Sequence, residues 1–441
     1  MIAYDRILET FENIKTPRIK TIGKLNEVAF TRNRKMPFED LTRFILAKKG
    51  KTTTMELNNY FKEIEKRENI VSKQAFSKQR RNLNPRVFIE LNKDYVKRIY
   101  EQSEIKKYKG YLVTAIDGSS IEIPNTKELQ EEYDCKSTGQ TIHRTTARAL
   151  ASGIYDVENN VMIDTIISKR TDGERLLAKH NLNSMIDILG DETNIITIFD
   201  RGYISIDLLL TLMETKIKYL FRLPSTTFKK ERQSLKTDDE IIDIVLTSDR
   251  IYGLKDPIKK DKAKELKKLR VRMVKIVLAT GEVEYLLTNI DNSIMCAAEI
   301  GELYYKRWGI ELAYDVIKNK LNIENISGTN QLIIEQDFYA QMLLFNMVED
   351  LRNDSNKVVE NNKKEKLKYE YKVNMNILVG TFREYMIKIA VEEDDDKRRI
   401  MYTYMLDEIV SNLVPIRPGR SNPRKPYTGI NKNKLNAKRN S

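Results

Sequence analysis

Asp117, Asp200 and Glu311 are the residues around which chemistry can be built in this chain. Each aspartate closes a run that reads as a buried strand, residues 111–116 and 194–199, and each is followed at once by a turn, Asp117-Gly118-Ser119 and Asp200-Arg201-Gly202-Tyr203. In a mixed α/β sheet, functional side chains stand where strands end, and adjacent strands bring two such carboxylates close together. Two close carboxylates repel unless a cation lies between them, so the pair invites a metal ion. Either aspartate alone would be an ordinary turn former.

Glu311 belongs to a stretch, residues 301–319, whose spacing predicts one continuous helix. At about 100° per residue, Tyr304, Arg307, Glu311 and Lys318 fall within roughly 60° of one another. One stripe then carries a phenol, a guanidinium, a carboxylate and an ammonium, while Leu303, Ile310, Ala313, Val316, Ile317 and Leu321 form the buried side. A carboxylate flanked by cations suits a metal ion that holds a phosphate, with the cations on neighbouring phosphates. The plainer reading of the same stripe is a surface Arg–Glu pair at i, i+4 beside a solvated lysine.

The elements that must position these residues follow in a definite order. Strand-like runs at 145–150 and 160–169, joined around Ser152-Gly153 and Asn159-Asn160, follow the Asp117 strand. A helix from Asp172-Gly173-Glu174 to Leu189 precedes the Asp200 strand, then come a short helix at 205–214 and a strand at 216–223. Three strands, a helix, a strand, a helix and then a glutamate on a later helix is the order of a ribonuclease-H-like core, an α/β fold with a mixed sheet. Between Asp200 and Glu311 lie 110 residues, more than two adjacent elements need. Residues 224–292 therefore read as a β-rich insertion, with strands at 241–246, 269–278 and 282–289, a hairpin turn at Thr280-Gly281-Glu282 and a Lys-rich segment at 255–268 whose basic loops could clamp DNA.

Residues 1–109 read as all-α. Helices are expected at 38–48, at 55–67 and at 73–83, the last capped by Ser72. Lys73, Lys78, Arg80 and Arg81 on that last helix can reach phosphates, which favours a helix-turn-helix-like DNA-binding domain over a basic helix in a bundle. At the other end, a helix at 333–352, a polar break at 353–372 and helices at 375–391 and 398–413 are expected, followed by a basic tail. The acidic run Glu392–Asp396 reads as a solvated helix break. The expected division is 1–109, 110–223, 224–292, 293–353 and 354–441, the second and fourth segments forming the catalytic core.

Charge supports a polyanionic partner. The net charge is +13, yet residues 1–110 carry +12 and residues 411–441 carry +8, which leaves the middle at −7. Basic ends around an acidic middle suit two regions that grip nucleic acid and one that keeps its carboxylates ionised. Two cysteines and two histidines are too few for a disulfide scaffold, a thiolate zinc site or imidazole chemistry, so catalysis falls to carboxylates. No apolar run of about 18 residues and no signal peptide is read, and a reducing cytoplasm is expected.

On these residues the chain resembles the DDE transposases of bacterial cut-and-paste insertion sequences, the group with the Y-x2-R-x3-E-x6-K signature. Tyr304, Arg307, Glu311 and Lys318 complete that signature. Arg307-Trp308-Gly309-Ile310-Glu311, Ile326-Ser327-Gly328 and Ile334-Glu335-Gln336-Asp337-Phe338-Tyr339-Ala340 also resemble the group, as do the two aspartate turns and Arg417-Pro418-Gly419-Arg420. The resemblance implies Asp117, Asp200 and Glu311 as ligands of two Mg²⁺ ions, or Mn²⁺, and Tyr304, Arg307 and Lys318 as contacts to DNA near the cleaved bond. It also implies binding of terminal inverted repeats and target DNA by a homodimer in a paired-end complex in the bacterial cytoplasm, nucleoid-associated when bound, with no membrane partner. Some relatives hold a flipped base with a tryptophan in the insertion; the only tryptophan here is Trp308. A metal-dependent nuclease without strand transfer and a catalytically silent DNA-binding derivative are the alternatives.

Overall fold

The computed structural model describes residues 2–32, 34–134, 146–278, 280–361 and 369–417. The basic tail beyond Arg417, like Cys135 and His143, lies outside the described residues. The chain forms two compact units: residues 1–103, 122–147 and 315–441 make one, and residues 104–121 and 148–314 make the other.

The second unit is built on a sheet. Its strands are β1 (Leu112–Glu122), β2 (Arg148–Asp156), β3 (Val161–Ser168), β4 (Ile195–Phe199), β5 (Lys218–Arg222), β6 (Asp239–Val245), β7 (Lys268–Val277) and β8 (Val283–Thr288). They lie side by side in the order β3-β2-β1-β4-β5-β8-β7-β6. β1, β4 and β5 run parallel, whereas β2–β3, β5–β8, β8–β7 and β7–β6 pair antiparallel. All five residues of β4 are buried, which explains its unbroken apolar run, since a central strand has no solvent face. The one polar residue in the middle, Thr197, pairs its hydroxyl with that of Thr114 on β1 at 2.9 Å, so neither is orphaned.

Two expectations change here. The second strand does not stop at Leu150 but runs on through Ser152-Gly153 to Asp156. Gly153 is a packing residue rather than a turn: a Cβ there would stand 2.8 Å from Met162 Sδ and 3.0 Å from Tyr314 Oη. The β-rich insertion is part of the main sheet, because β8 pairs with β5 through Leu220↔Thr288 to Arg222↔Leu286. Arg272 on β7, only 4% exposed, ties this extension together by bonding Asp239 and the carbonyls of Ile290 and Met295. The Lys-rich segment is largely a helix, Pro257–Leu266, started by Asp256 as N-cap. Lys259 on it donates to Thr211 Oγ1 at 2.6 Å and so fastens it to the helix Ile206–Met213.

The first unit is mainly helical and has a charged core. Helices Ile2–Asn13, Phe38–Ala47 and Arg86–Gln102 pack with the 31-residue helix Gln331–Asn361. The N-terminal helices therefore share a unit with the C-terminal ones instead of forming a body of their own. Asp350, near the middle of the long helix, accepts from Arg6 and from Tyr95 Oη at 2.8 Å, which satisfies a carboxylate that burial would otherwise penalise. The long helix continues nine residues past the expected end at Arg352. Helix Met375–Val391 has the expected bounds, and the acidic run opens the helix Asp395–Val410, with Asp394 accepting from the amides of Asp396 and Lys397.

Candidate active site

The parallel register Ile116↔Phe199 sets Asp117, midway along β1, beside Asp200, which directly follows β4; β1 does not end in a turn at Asp117 as expected but runs on to Glu122. Asp117 Oδ1 accepts the amide of Gly118 at 2.9 Å. Burial nonetheless pushes the Asp117 carboxyl up to about 6, against the pull of the Gly118 amide and Arg307, with Glu174 and Glu311 adding to the rise. Negative charge at this point is thus only partly compensated by the protein.

Residues 297–319 form two helices, Ala297–Tyr305 and Trp308–Asn319, and not the single helix expected. At the break the amide of Arg307 bonds the Tyr304 carbonyl at 3.1 Å, and that of Ile310 bonds the Arg307 carbonyl at 3.1 Å. These are tighter, three-residue closures, which turn side chains away from the 100° spacing of an α-helix. Gly309 lets the second helix begin pressed on the Val157 side chain, since a Cβ would stand 3.2 Å from it. The break brings Arg307 inward, to 5% exposure.

There Arg307 becomes the counter-ion of the site. Its Nη2 donates to Glu311 Oε1 at 2.7 Å and its Nη1 stands 3.9 Å from Asp117 Oδ2. The guanidinium also lies 5.9 Å from the centre of the Tyr304 ring and 5.4 Å from that of Trp308. Tyr304 Oη donates to Asp200 Oδ1 at 3.0 Å, and burial, reinforced by Asp200, raises its pKa. Tyr314 Oη donates to the Asp117 carbonyl at 3.1 Å and holds the middle of β1. Asp117, Asp200, Tyr304, Arg307 and Glu311 are therefore gathered in one cluster, joined by the Tyr304–Asp200 and Arg307–Glu311 hydrogen bonds and by the approach of Arg307 to Asp117 and the Tyr304 ring.

A further acid stands beside it that the sequence did not single out. Glu174, at the start of the helix Glu174–Leu189, has its carboxylate where a side chain on residue 118 would be: a Cβ on Gly118 would lie 2.7 Å from Glu174 Oε1, and one on Gly202 3.6 Å from Oε2. The available signal was a pair of glycines, one residue after Asp117 and two after Asp200, that leave room for something to enter.

The other predicted residues lie elsewhere. Lys318 is carried by the helix Trp308–Asn319, seven residues beyond Glu311. Lys73, Lys78 and Arg81 are exposed at the helix Lys73–Arg80. Arg80 is a correction: it is 1% exposed and donates to Asp337, Gln336 and Ser327, so it is committed to the protein interior and faces no DNA.

Among the described residues no group of three or more histidine, cysteine, aspartate or glutamate side chains is set to hold a metal ion as the side chains stand. The donor set still fits Mg²⁺ or Mn²⁺: carboxylate oxygens only, with excess negative charge at Asp117.

Residues 108–347 match the protein family described as "Transposase DDE domain". Among solved structures, the chain is similar to one described as "Cryo-EM structure of piggyBac transposase synaptic complex with hairpin DNA (SNHP)", with 11% identity, 94% of this chain and 87% of that chain covered, and a TM-score of 0.47. No curated protein matches the chain in sequence.

Proposed function

The chain belongs to the transposase DDE domain family, and from that premise we propose that it is an insertion-sequence transposase that binds terminal inverted repeats, cuts the DNA ends and joins them to a target. The observation that carries the reading is the meeting of Asp117 and Asp200 on neighbouring parallel strands with Arg307 and Glu311 from the signature segment. The order β3-β2-β1-β4-β5 supports a ribonuclease-H-like core, and β8-β7-β6 would be its extension.

In this reading Asp117, Asp200 and Glu311 hold divalent cations, Mg²⁺ or Mn²⁺, two per site. Bound there, the cations supply a nucleophile and neutralise charge on the attacking and leaving oxygens. The chain itself does the rest. Tyr304 fixes the rotamer of Asp200, and Tyr314 fixes the backbone of Asp117. Arg307 neutralises the acids before DNA arrives and is then available, with Lys318, to a phosphate next to the cut. Lys73, Lys78 and Arg81 supply phosphate contacts on the N-terminal helices, within a homodimer that pairs two DNA ends in the bacterial cytoplasm.

The test is cleavage of a plasmid carrying the element's own flanking repeats, with Mg²⁺ as sole divalent ion. Asp117→Ala and Glu311→Ala should each abolish it, and full activity in either would sink the assignment. Pre-cut ends offered with a target plasmid should be joined; cutting without joining would identify a nuclease instead.

A further inference from the structure

An open groove of about 1000 Å³ in the sheet unit begins beside the acid cluster, at Glu174 and Gly202. At its inner end are Ser120 and Gly202, three and two residues beyond Asp117 and Asp200, together with Glu174. Its walls carry Arg148, Arg170, Arg175, Lys179, Lys255 and Lys259. These come from the start of β2, the turn Arg170–Asp172, the helix Glu174–Leu189, and residues 255–259 of the insertion.

The acids in the same walls are engaged with the protein. Asp207 pairs with Lys179 and Lys259, and these two cations pull its carboxyl below the ordinary range despite partial burial. Asp256 caps the helix Pro257–Leu266, accepting from the Ile258 amide at 2.9 Å. Asp172 accepts from the Ser168 hydroxyl. Away from Glu174 at the inner end, what remains for a ligand is positive. Arg175 donates its Nε to the Gly202 carbonyl at 2.8 Å, which holds the guanidinium against the turn that follows Asp200. Arg170 and Lys255 are exposed and form no ion pair among the described residues.

We propose that this groove holds the sugar-phosphate backbone of the DNA segment running out from the cleaved phosphate, with Arg170, Arg175 and Lys255 on successive phosphates. The inference rests on the transposase reading and adds to it a path for the DNA and a task for the basic part of the insertion. Cations spread over separate elements along an open trough suit a polymer of phosphates; a free phosphate or a nucleotide needs donors that converge in an enclosed pocket. Guanidinium forks and a lysine on a mobile stem match backbone contacts, which set position without reading sequence.

The experiment measures binding of the full chain to a fluorescein-labelled random-sequence 30-base-pair duplex across a salt series, beside metal-dependent nicking of supercoiled plasmid. Arg170→Ala/Lys255→Ala is compared with Lys216→Ala/Lys268→Ala, a pair of equally exposed lysines outside the groove. Loss of two phosphate contacts lowers the slope of log affinity against log salt by about 1.8 and weakens binding about tenfold, with the control pair unchanged. A slope equal to that of the unaltered protein, or an equal drop in the control pair, overturns the groove while leaving the transposase reading intact if the unaltered protein nicks DNA. An unaltered protein that neither binds nor nicks DNA overturns both.

Discussion

The Tyr304 hydroxyl donates to Asp200 Oδ1 at 3.0 Å, across a sequence separation of 104 residues. It ties the Asp200 carboxylate to the segment that brings Glu311. Tyr304→Phe should leave the fold intact and slow Mg²⁺-dependent DNA cleavage about 10- to 100-fold, the range of one hydrogen bond to a charged group. Single-turnover rates check this; an unchanged rate would show that Asp200 needs no such anchor.

A side chain at Gly118 should meet Glu174. Gly118→Ala drives a methyl to 2.7 Å from Glu174 Oε1, the far end of an exposed, flexible side chain that can swing aside, and should cost less than about 1 kcal/mol in stability. Adding Glu174→Ser should return most of that loss, and urea denaturation of the four proteins in the cycle measures the coupling. Independent, additive effects would mean that the two positions do not meet.

The buried pair of Arg80 and Asp337, joined by Lys48, should matter for stability. Lys48 and Arg80 hold the Asp337 carboxyl far below its usual range although it is buried. Arg80→Ala would strand that carboxylate and should cost about 3–5 kcal/mol, whereas Lys73→Ala and Lys78→Ala should cost little and weaken DNA binding instead. Chemical denaturation and DNA-binding titrations separate the two effects.

Glu349 supplies a pH dependence of stability. It is buried on the helix Gln331–Asn361, with Arg352 at 2.6 Å, and burial pushes its carboxyl up to about 7. Its folded pKa lies above the unfolded value, so its contribution is fully present below about pH 4.5 and is lost as pH rises through 7. Glu349→Gln should therefore raise stability at pH 8 relative to pH 5. Urea midpoints at the two pH values check the sign.

Much of the sheet was legible because strands announce themselves by periodicity. The expected runs at 241–246, 269–278 and 282–289 lie within a residue or two of β6, β7 and β8. The turn after Asp200 was legible for the same reason, whereas the expected turn at Asp117-Gly118 is absent because β1 continues through it to Glu122. Other features leave no local trace. Three-residue closures at Lys306-Arg307 do not disturb an apolar pattern, so the break was invisible although it governs where Arg307 points. Arg80 looks like any surface arginine until Asp337, 257 residues away, is brought to it. Glu174 acquires its place from glycines 56 residues before it and 28 after it.

The pairing of β5 with β8 has a consequence for the newborn chain. The strand next to β4 lacks its second neighbour until residue 288 has left the ribosome, and the acids on β1 and β4 lack Tyr304, Arg307 and Glu311 for longer still. Long-range pairings of this kind form late. A chain that ends between Asp200 and Tyr304 therefore carries both aspartates without Tyr304, Arg307 and Glu311, and on the proposed reading it lacks a complete set of cation ligands.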